Sequence, residues 1–271
     1  MLTYRDSTLV SDSLKRELLQ FAISAAVKAG GETLRFFRAD AAVENKLDDG
    51  RFDPVTEADR AAEQVLRELI RKQYPSHGIF GEEFGVEAGD GLTWVIDPID
   101  GTRAFMSGML HWGLLLGLFN GEKPVVGVMY QPYTEEIWAG DGQSASFHRH
   151  GETRELRTRS CPTLDQAVLA TTTPVLFHGR EREGFQRLEG SVKLSRYGGD
   201  CYLWAMVAMG YVDLATDANL NAYDIQGLIP VIEGAGGVVT TYSGGNPSLG
   251  GTILASGSAE LHEAALRVIN G

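Results

Sequence analysis

The chain carries two kinds of hydrophobic pattern, and the helical one comes first. Apolar residues recur every three or four positions in two N-terminal segments, a spacing that predicts amphipathic helices. The second helix is predicted to start within residues 53–59 and to continue to Tyr74. Polar stretches with glycine at residues 47–52 and 85–91 are predicted to be flexible loops, the first of them a lid. The first helix is predicted to start at one of three cap candidates, Ser11, Asp12 or Ser13, and to carry Leu14, Leu18, Phe21, Ala25, Leu34 and Phe37.

Short apolar runs predict β-strands in the rest of the chain. Up to residue 139 these runs cover residues 43–46, 78–81, 94–96, 114–119, 124–130 and 136–139. The last three predict an antiparallel meander, because the hairpin signal Asn120-Gly121 separates the first two of them. After Cys161, predicted strands alternate with predicted helices at residues 184–188, 201–210 and 225–233 and at the C-terminus. The patterns predict a mixed α/β chain, with an N-terminal α+β half at residues 1–160 and a C-terminal α/β half at residues 161–271.

Composition and charge narrow the class of protein. With 271 residues, 43% of them hydrophobic, the chain can bury a full core. Its formal charge of -12 argues against a nucleic-acid partner, whose phosphates bind basic surfaces. Cys161 and Cys201 lack the close spacing of a zinc or redox pair and are expected to be free thiols. Residues 1–10 do not resemble a signal peptide, and the apolar residues 110–119 are too few to span a bilayer. We therefore expect a soluble, cytoplasmic protein with no membrane partner.

The candidate metal-binding and phosphate-binding residues are concentrated at residues 94–102, where an apolar run ends in two carboxylates, a glycine and a hydroxyl. A helical turn is predicted to open after the run, and on such a turn Asp97 and Asp100 lie on one face, about 5–6 Å apart at Cβ. Two carboxylates that converge in this way suit cations about 3.5–4 Å apart. The amides of Gly101 and Thr102 would then point from a helix N-terminus toward an anion, above all a phosphate. These residues alone leave an alternative open, in which Asp97 is an N-cap and Asp100 a first-turn acid of an ordinary connection.

Four ordered motifs resemble those of the inositol monophosphatase family, whose members are magnesium-dependent, lithium-sensitive phosphatases. The resemblance covers nearly the whole chain. One departure is Tyr223, where most members carry tryptophan, and we expect its ring to pack in the same way. The motifs are Asp53 with Thr56 and Asp59, Gly81-Glu82-Glu83, residues 94–102, and Ala222-Tyr223-Asp224 ahead of Glu233 to Gly237.

The resemblance implies a layered αβαβα sandwich, usually a homodimer, with two or three Mg²⁺ ions in each active site. Glu82, Asp97 and the carbonyl of Ile99 would hold one ion, and Asp97, Asp100 and Asp224 would hold a second. The residue types support these roles independently, because hard oxygen ligands select Mg²⁺ or Mn²⁺ over zinc. Without cations, four clustered carboxylates would repel one another and take up protons.

The same resemblance implies hydrolysis of a small phosphorylated metabolite, by direct in-line attack of a water that Mg²⁺ activates. In the family, Thr102 and Asp53 orient or deprotonate that water, and Glu82 reaches a third, weaker ion. The alternative of a different class is a catalytically silent phosphate-binding or regulatory protein on the same fold. Because six residues of the family's active site are retained together, a catalytically inactive protein is the weaker alternative. These residues are Asp53, Glu82, Asp97, Asp100, Thr102 and Asp224.

The substrate has to be inferred from the second half of the chain. Residues 195–202 resemble the histidinol-phosphatase branch of the family, with Asp200 where inositol monophosphatases usually carry a small neutral residue. A carboxylate there suits the ammonium group of L-histidinol phosphate, which inositol phosphates lack. Asp217, seven residues before Asp224, matches the family position that contacts the leaving alcohol. We predict hydrolysis of L-histidinol phosphate ahead of inositol 1-phosphate or another small sugar or nucleotide phosphate. The alternative in which Asp200 only caps the helix at residues 201–210 stays open.

Three other patterns indicate rival functions only weakly. Asp97 and Asp100 are three residues apart, whereas the two acids of haloacid-dehalogenase phosphatases are two apart. The glycines within residues 234–237 lack the third glycine of a dinucleotide-binding fingerprint and follow a predicted helix. His148 and His150 could form a metal pair, but alternate residues of a strand point to opposite faces.

Overall fold

Both N-terminal helices form as the apolar stripes predict, except that the first ends at Thr33, before Leu34 and Phe37. In the computed structural model, which describes residues 2–38, 43–45 and 54–271, they are α1 (Asp12–Thr33) and α2 (Glu57–Gln73). The hydroxyl of Ser11 accepts a hydrogen bond from the amide of Leu14 at 3.3 Å, so Ser11 is the one of the three candidates that caps α1. The predicted lid at residues 47–52 lies outside the described residues.

Most of the first half of the chain forms one eight-stranded mixed sheet. A short antiparallel ribbon, β1 (Val43–Asn45) and β2 (Pro54–Thr56), precedes it. The sheet contains β3 (Gly78–Gly81), β4 (Gly85–Glu87), β5 (Thr93–Asp100), β6 (Gly113–Phe119), β7 (Pro124–Gln131), β8 (Glu136–Gly140), β9 (Ala145–Arg149) and β10 (Glu152–Glu155). The spatial order is β10-β9-β8-β7-β6-β5-β3-β4, and every pair is antiparallel except β3 with β5. The short helix α3 (Thr102–Met106) follows β5 directly.

The second half supplies a five-stranded sheet and five helices. Its strands are β11 (Val168–Thr171), β12 (Leu194–Tyr197), β13 (Leu214–Asn221), β14 (Val238–Thr241) and β15 (Gly250–Ser256), in the spatial order β12-β11-β13-β15-β14. Its helices are α4 (Gly179–Glu189), α5 (Asp200–Ala208), α6 (Ala222–Gln226), α7 (Ile229–Gly234) and α8 (Ala259–Asn270). Two one-turn 3₁₀ helices, Leu164–Gln166 and Pro174–Leu176, flank β11.

The elements stack in five layers, as predicted. Helices α1 and α2 cover one face of the large sheet, α5, α6 and α7 lie between the two sheets, and α4 and α8 cover the outer face of the small sheet. Each layer buries its own apolar cluster against the next. The αβαβα sandwich is therefore confirmed, whereas the division of the chain near residue 160 stays a prediction.

Several elements differ from the sequence prediction. Residues 85–91 are not a loop throughout, because β4 pairs there with β3. The hairpin of β9 and β10 was absent from the predicted strands. The helix predicted at residues 225–233 is split into α6 and α7 near Pro230, which lacks an amide hydrogen and lies in the first turn of α7. Within the described part of the chain, no helix combines the length and apolar character that a membrane span requires.

Candidate active site

Strand β5 delivers the two central carboxylates. It pairs with β6 on both sides of an irregularity that lies between Asp97 and Asp100. Pro98 therefore belongs to the strand, and the predicted helical turn at this point is wrong, since α3 begins only at Thr102. A bulge redirects the side chains around it. The predicted convergence of Asp97 and Asp100 arises from this bulge.

Helix α6 adds a third carboxylate from the second half of the chain. Carboxylate oxygens of Asp97, Asp100 and Asp224 all lie within 4.8 Å of one another. The amide of Asn221, which precedes α6, donates to Asp224 at 2.6 Å and fixes its orientation. Beside it, the ring of Tyr223 packs on Phe80 with 5.7 Å between centroids. The structure thus brings together three of the acids predicted as metal ligands.

Each of these carboxylates makes ionisation of the others less favourable. Burial and then the charges of Glu82, Asp100 and Asp224 hold the pKa of Asp97 well above its usual range. Burial, followed by the charges of Asp200 and Asp224, raises the pKa of Asp100 in the same way. The pKa of Asp224 is raised to about 7, chiefly by burial and further by Glu82. A divalent cation among these hard oxygens would offset the repulsion, so the donor set fits Mg²⁺ or Mn²⁺.

Glu82 approaches the cluster from the turn that follows β3. Its amide donates to the carbonyl of Ile96 at 3.2 Å, which ties the turn to β5 next to Asp97. Its charge raises the pKa of both Asp97 and Asp224. Asp59 on α2 is 2% exposed and also acts on Asp97. The four predicted carboxylate ligands, Glu82, Asp97, Asp100 and Asp224, therefore influence one another through their charges.

Gly101 and Thr102 form the corner between β5 and α3. Gly101 has φ 86°, and a Cβ on it would lie 2.6 Å from the carbonyl oxygen of His111, so the corner requires glycine. The hydroxyl of Thr102 donates to the carbonyl of Ile99 at 3.1 Å. The side chain of Ile99 is fully buried beside Phe105. These contacts fix the peptide predicted to contribute a carbonyl ligand, while the binding of a phosphate at the corner stays a prediction.

Asp200 lies against this corner. A Cβ built on Gly101 would be 3.2 Å from the Cβ of Asp200, and the next amide, of Cys201, donates to Asp100 at 2.6 Å. Asp200 has a left-handed backbone (φ 44°), and α5 has no side-chain cap, so the capping alternative does not describe it. Among the described residues its carboxylate makes no hydrogen bond or ion pair. Burial and then Asp217 raise its pKa to about 6, and Arg103 opposes the shift.

Asp217, predicted as a second acceptor for substrate, already has several hydrogen-bond donors within the protein. It is 2% exposed on β13, and its two oxygens accept four hydrogen bonds. The donors are the hydroxyl of Thr171 (2.8 Å), the amide and hydroxyl of Thr172 (2.8 and 3.0 Å) and the indole of Trp204 (3.3 Å). A carboxylate has about four lone-pair positions, so none is left for a ligand in this arrangement. Contact between Asp217 and substrate stays a prediction that requires one of these bonds to exchange.

The side chains of two residues from the first motif lie outside the described part of the structure. Asp53, predicted to orient or deprotonate the attacking water, lies outside the described residues. The side chain of Thr56 also lies outside them.

Sequence reasoning missed a buried acid beneath the site. Glu63 is fully buried on α2, accepts hydrogen bonds from the amides of Glu83 and Phe84, and pairs with Arg67. A signal was available, because Glu63 and Arg67 lie four residues apart on the same side of α2 as the apolar Leu66 and Ile70. Charged residues on a core-facing stripe are rarely buried without partners.

The histidine and cysteine patterns have ordinary structural explanations. His148 lies on β9, hydrogen-bonded to Ser146, whereas His150 lies in the following turn and pairs with Glu135 at 3.0 Å. The two histidines therefore do not form a metal pair. Both cysteines are buried free thiols.

Comparisons with known proteins agree with this arrangement. A family model described as the inositol monophosphatase family matches residues 14–270. A bifunctional phosphatase of Arabidopsis thaliana, described as chloroplastic, is 39% identical over 266 residues, covering 92% of this chain and 75% of that protein. A histidinol-phosphatase of Chlorobaculum parvum is 34% identical over 242 residues, covering 88% and 91%. The solved structure of an inositol monophosphatase from Zymomonas mobilis superposes with a TM-score of 0.84 at 36% identity, covering 97% of this chain and all of that one.

Proposed function

Because this chain belongs to the inositol monophosphatase family of metal-dependent phosphatases, we propose that it is a Mg²⁺-dependent phosphomonoesterase that hydrolyses L-histidinol phosphate to L-histidinol and phosphate. Family phosphatases act on small phosphorylated substrates. The choice among such substrates rests on one observation: the carboxylate of Asp200 lies beside the corner at Gly101 and has no hydrogen-bond or ion-pair partner within the described part of the chain.

The cation site follows from the cluster of acids. Glu82, Asp97 and the carbonyl of Ile99 would hold one Mg²⁺, and Asp97, Asp100 and Asp224 a second; Mn²⁺ has the same preference for oxygen. When bound, such ions lower the pKa of water and neutralise charge on a transferring phosphoryl group. The supporting observation is the set of raised carboxylate pKa values, because a divalent charge is what would keep these groups ionised together.

The chain's own residues prepare the site for in-line attack. In that reaction a water oxygen bonds to phosphorus, the bond from phosphorus to the alcohol oxygen breaks, and the alcohol leaves with a proton. Thr102 donates its hydroxyl hydrogen to Ile99, so the lone pairs on its oxygen stay available to accept a hydrogen bond from that water and orient it. Asp53 would share this task, and the amides of Gly101 and Thr102 would bind the phosphate.

The substrate preference follows from charge. L-histidinol phosphate carries an ammonium and an imidazole beside its phosphate, whereas inositol 1-phosphate carries only hydroxyl groups there. A carboxylate pairs with an ammonium through charge-assisted hydrogen bonds, which are stronger than neutral ones. Asp200 is partly buried, lies beside the predicted phosphate corner, and has no hydrogen-bond donor among the described residues.

The names of similar proteins divide between the two candidate substrates. The Chlorobaculum parvum protein is a histidinol-phosphatase, and the Zymomonas mobilis protein is an inositol monophosphatase at nearly the same identity. Inositol 1-phosphate is therefore the second candidate, ahead of a nucleoside bisphosphate.

A direct comparison of substrates tests the proposal. We expect kcat/KM to be highest for L-histidinol phosphate, below it for inositol 1-phosphate, and lowest for a nucleoside bisphosphate. Asp200→Asn keeps the shape and tolerates the left-handed backbone but removes the charge, so it should lower kcat/KM for L-histidinol phosphate by about 10–100-fold and leave inositol 1-phosphate nearly unchanged. Asp165→Asn, at an exposed position of the same half, is the matched control. A higher kcat/KM for inositol 1-phosphate, or an unchanged ranking in Asp200→Asn, would refute the histidinol assignment.

Metal dependence has its own test. We expect EDTA to abolish phosphate release and added Mg²⁺ or Mn²⁺ to restore it, because the ligands are all oxygen atoms. Full turnover in EDTA, or with Zn²⁺ as the sole added metal, would contradict the assignment.

The assembly is proposed on the family resemblance alone, whereas the location is proposed from the cysteine spacing and the apolar pattern of the sequence. We expect a homodimer in solution, which light scattering would reveal. We also expect a cytoplasmic enzyme, although the Arabidopsis thaliana relative is chloroplastic.

A further inference from the structure

A buried ion pair lies directly beneath the turn that carries Glu82. Glu63 is fully buried on α2, and its carboxylate accepts a hydrogen bond from the guanidinium of Arg67, one helical turn further on, at 2.7 Å. Arg67 is itself only 5% exposed. Neither residue is among the acids of the candidate metal cluster.

The carboxylate of Glu63 holds the backbone of this turn. It accepts from the amides of Glu83 at 2.7 Å and Phe84 at 3.2 Å, the two residues that follow Glu82. A Cβ on Gly81, the residue before Glu82, would lie only 1.9 Å from a carboxylate oxygen of Glu63. Glycine at position 81 is therefore what allows Glu63 to reach the turn.

Arg67 extends the same network to the far side of the hairpin. Its guanidinium donates to the carbonyl of Gly85, lies 3.6 Å from Glu87 and covers the ring of Phe84 at 5.8 Å. The turn after β3 and the first residue of β4 are thus bonded to α2 through two side chains. On the other side, the amide of Glu82 is bonded to the carbonyl of Ile96 on β5.

Stability alone does not account for such a pair. Removing two charges from water is costly, and apolar residues of similar size are often as stabilising as a buried ion pair. Hydrogen bonds from a fixed carboxylate to two adjacent amides, however, fix a backbone direction. Here the backbone so fixed directly follows Glu82, whose charge acts on Asp97 and Asp224.

We propose that Glu63 is a positioning residue that directs the Glu82 carboxylate toward the cation site through the turn at residues 82–84. The inference rests on the proposed function, since it requires Glu82 to bind a cation. Arg67 holds the Glu63 carboxylate in place through their hydrogen bond, and Gly81 gives it access. Residues that orient metal ligands in this way typically change metal affinity or activity by about 10–100-fold when altered.

The experiment measures Mn²⁺ binding directly, by calorimetry, together with the Mg²⁺ concentration that gives half-maximal phosphatase activity. Glu63→Gln should weaken Mn²⁺ binding by about 10–100-fold and raise the half-maximal Mg²⁺ concentration by a similar factor, while kcat at saturating Mg²⁺ changes less. Glu68→Gln removes the same charge from an exposed position of α2 and should change neither quantity. If Glu63→Gln fails to fold, Glu63→Asp keeps the charge beside Arg67 but not the reach, and should weaken Mn²⁺ binding in the same direction.

The outcomes separate the two proposals. A folded Glu63 variant with a lower thermal midpoint but wild-type Mn²⁺ affinity would overturn the positioning role and leave the proposed function intact. Weaker Mn²⁺ binding in that variant, with no phosphatase activity even in the wild type, would support the positioning role and overturn the proposed function. A wild-type protein that neither binds Mn²⁺ nor hydrolyses a phosphate ester would overturn both.

Discussion

At the scale of single residues, the role proposed for the hydroxyl of Thr102 rests on one hydrogen bond. Its hydrogen is donated to the carbonyl of Ile99 at 3.1 Å, so its oxygen can only accept from a water. Thr102→Val has the same shape without the hydroxyl, and we expect it to lower kcat/KM by about 100-fold or more. Thr102→Ser should stay within about tenfold of wild type. Steady-state kinetics on both variants, at saturating Mg²⁺, checks this.

The control for Thr102 is Thr163→Val, which removes an exposed hydroxyl far along the chain and should have wild-type kinetics. Equal losses in Thr102→Ser and Thr102→Val would show that packing at this corner, rather than the hydroxyl, matters for turnover.

Sequence reasoning found several site residues through the wrong local structure, and others not at all. Asp97 and Asp100 converge as predicted, but on a bulged strand, because pairing with β6 overrides the helical preference of the Pro98 turn. The four hydrogen bonds to Asp217 come from Thr171 and Thr172, at the end of β11, and from Trp204 on α5. No local sequence pattern reveals these partners. The role of Glu63 likewise depends on a turn that is distant in sequence.

At the scale of elements, a row of glycines sets how deeply α6 and α7 sit on the large sheet. Gly117, Gly127 and Gly140 lie side by side on β6, β7 and β8. A Cβ on any of them would lie 2.5 to 2.8 Å from a backbone atom within residues 226–230. The connection between α6 and α7 therefore rests directly on the sheet, and the start of α6 brings Asp224 to β5.

Gly127→Ala tests this contact. Its Cβ would lie 2.5 Å from the carbonyl oxygen of Gly227, a backbone atom that cannot turn away, so the helices must move outward. We expect a loss of about 1–3 kcal/mol in the free energy of unfolding, as for overpacked cores. The half-maximal Mg²⁺ concentration should rise as well, because Asp224 moves with α6. Urea unfolding and Mg²⁺ titration of the activity measure the two effects.

The matched control for this substitution is Gly31→Ala, on α1. A Cβ there meets no atom within 4 Å, so the change should be neutral or stabilising by up to about 1 kcal/mol. An unchanged free energy of unfolding in Gly127→Ala would mean that the helices are not held by the glycine row.

Elements with a strong local pattern were predicted well, and those without one were not. The meander at β6, β7 and β8 and the helices α1 and α2 follow their periodicity. Strands β4 and β10 are short and partly or fully exposed, so they lack the apolar signal that prediction needs. Strand order across the sheets, such as β5 between β3 and β6, is a tertiary property that periodicity does not encode.

At the scale of the whole molecule, the five layers bring like charges together from both halves of the chain. Asp97 and Asp100 come from the large sheet, whereas Asp200 and Asp224 start helices that lie between the two sheets. The chain already carries a net charge of -12, so little positive charge is available to compensate them. Folding without a cation therefore works against electrostatic repulsion, and metal binding should be linked to stability.

This linkage predicts a pH dependence with a definite sign. The pKa of Asp224 is raised from 3.8 to about 7, so between these values the folded state keeps a proton that the unfolded chain has released, and raising the pH lowers the free energy of unfolding. Asp224→Asn removes the charge but can still accept from Asn221. In EDTA we expect it to be more stable than wild type at pH 8, on the order of 2–4 kcal/mol, since one pKa unit corresponds to about 1.4 kcal/mol. The difference should shrink toward pH 4.

In saturating Mg²⁺ the order of stability should reverse, so that the wild type is more stable than Asp224→Asn, because only the wild type keeps all its ligands. Urea unfolding at several pH values measures both, with Asp165→Asn as the exposed control, and a difference in EDTA that stays constant with pH would contradict the linkage.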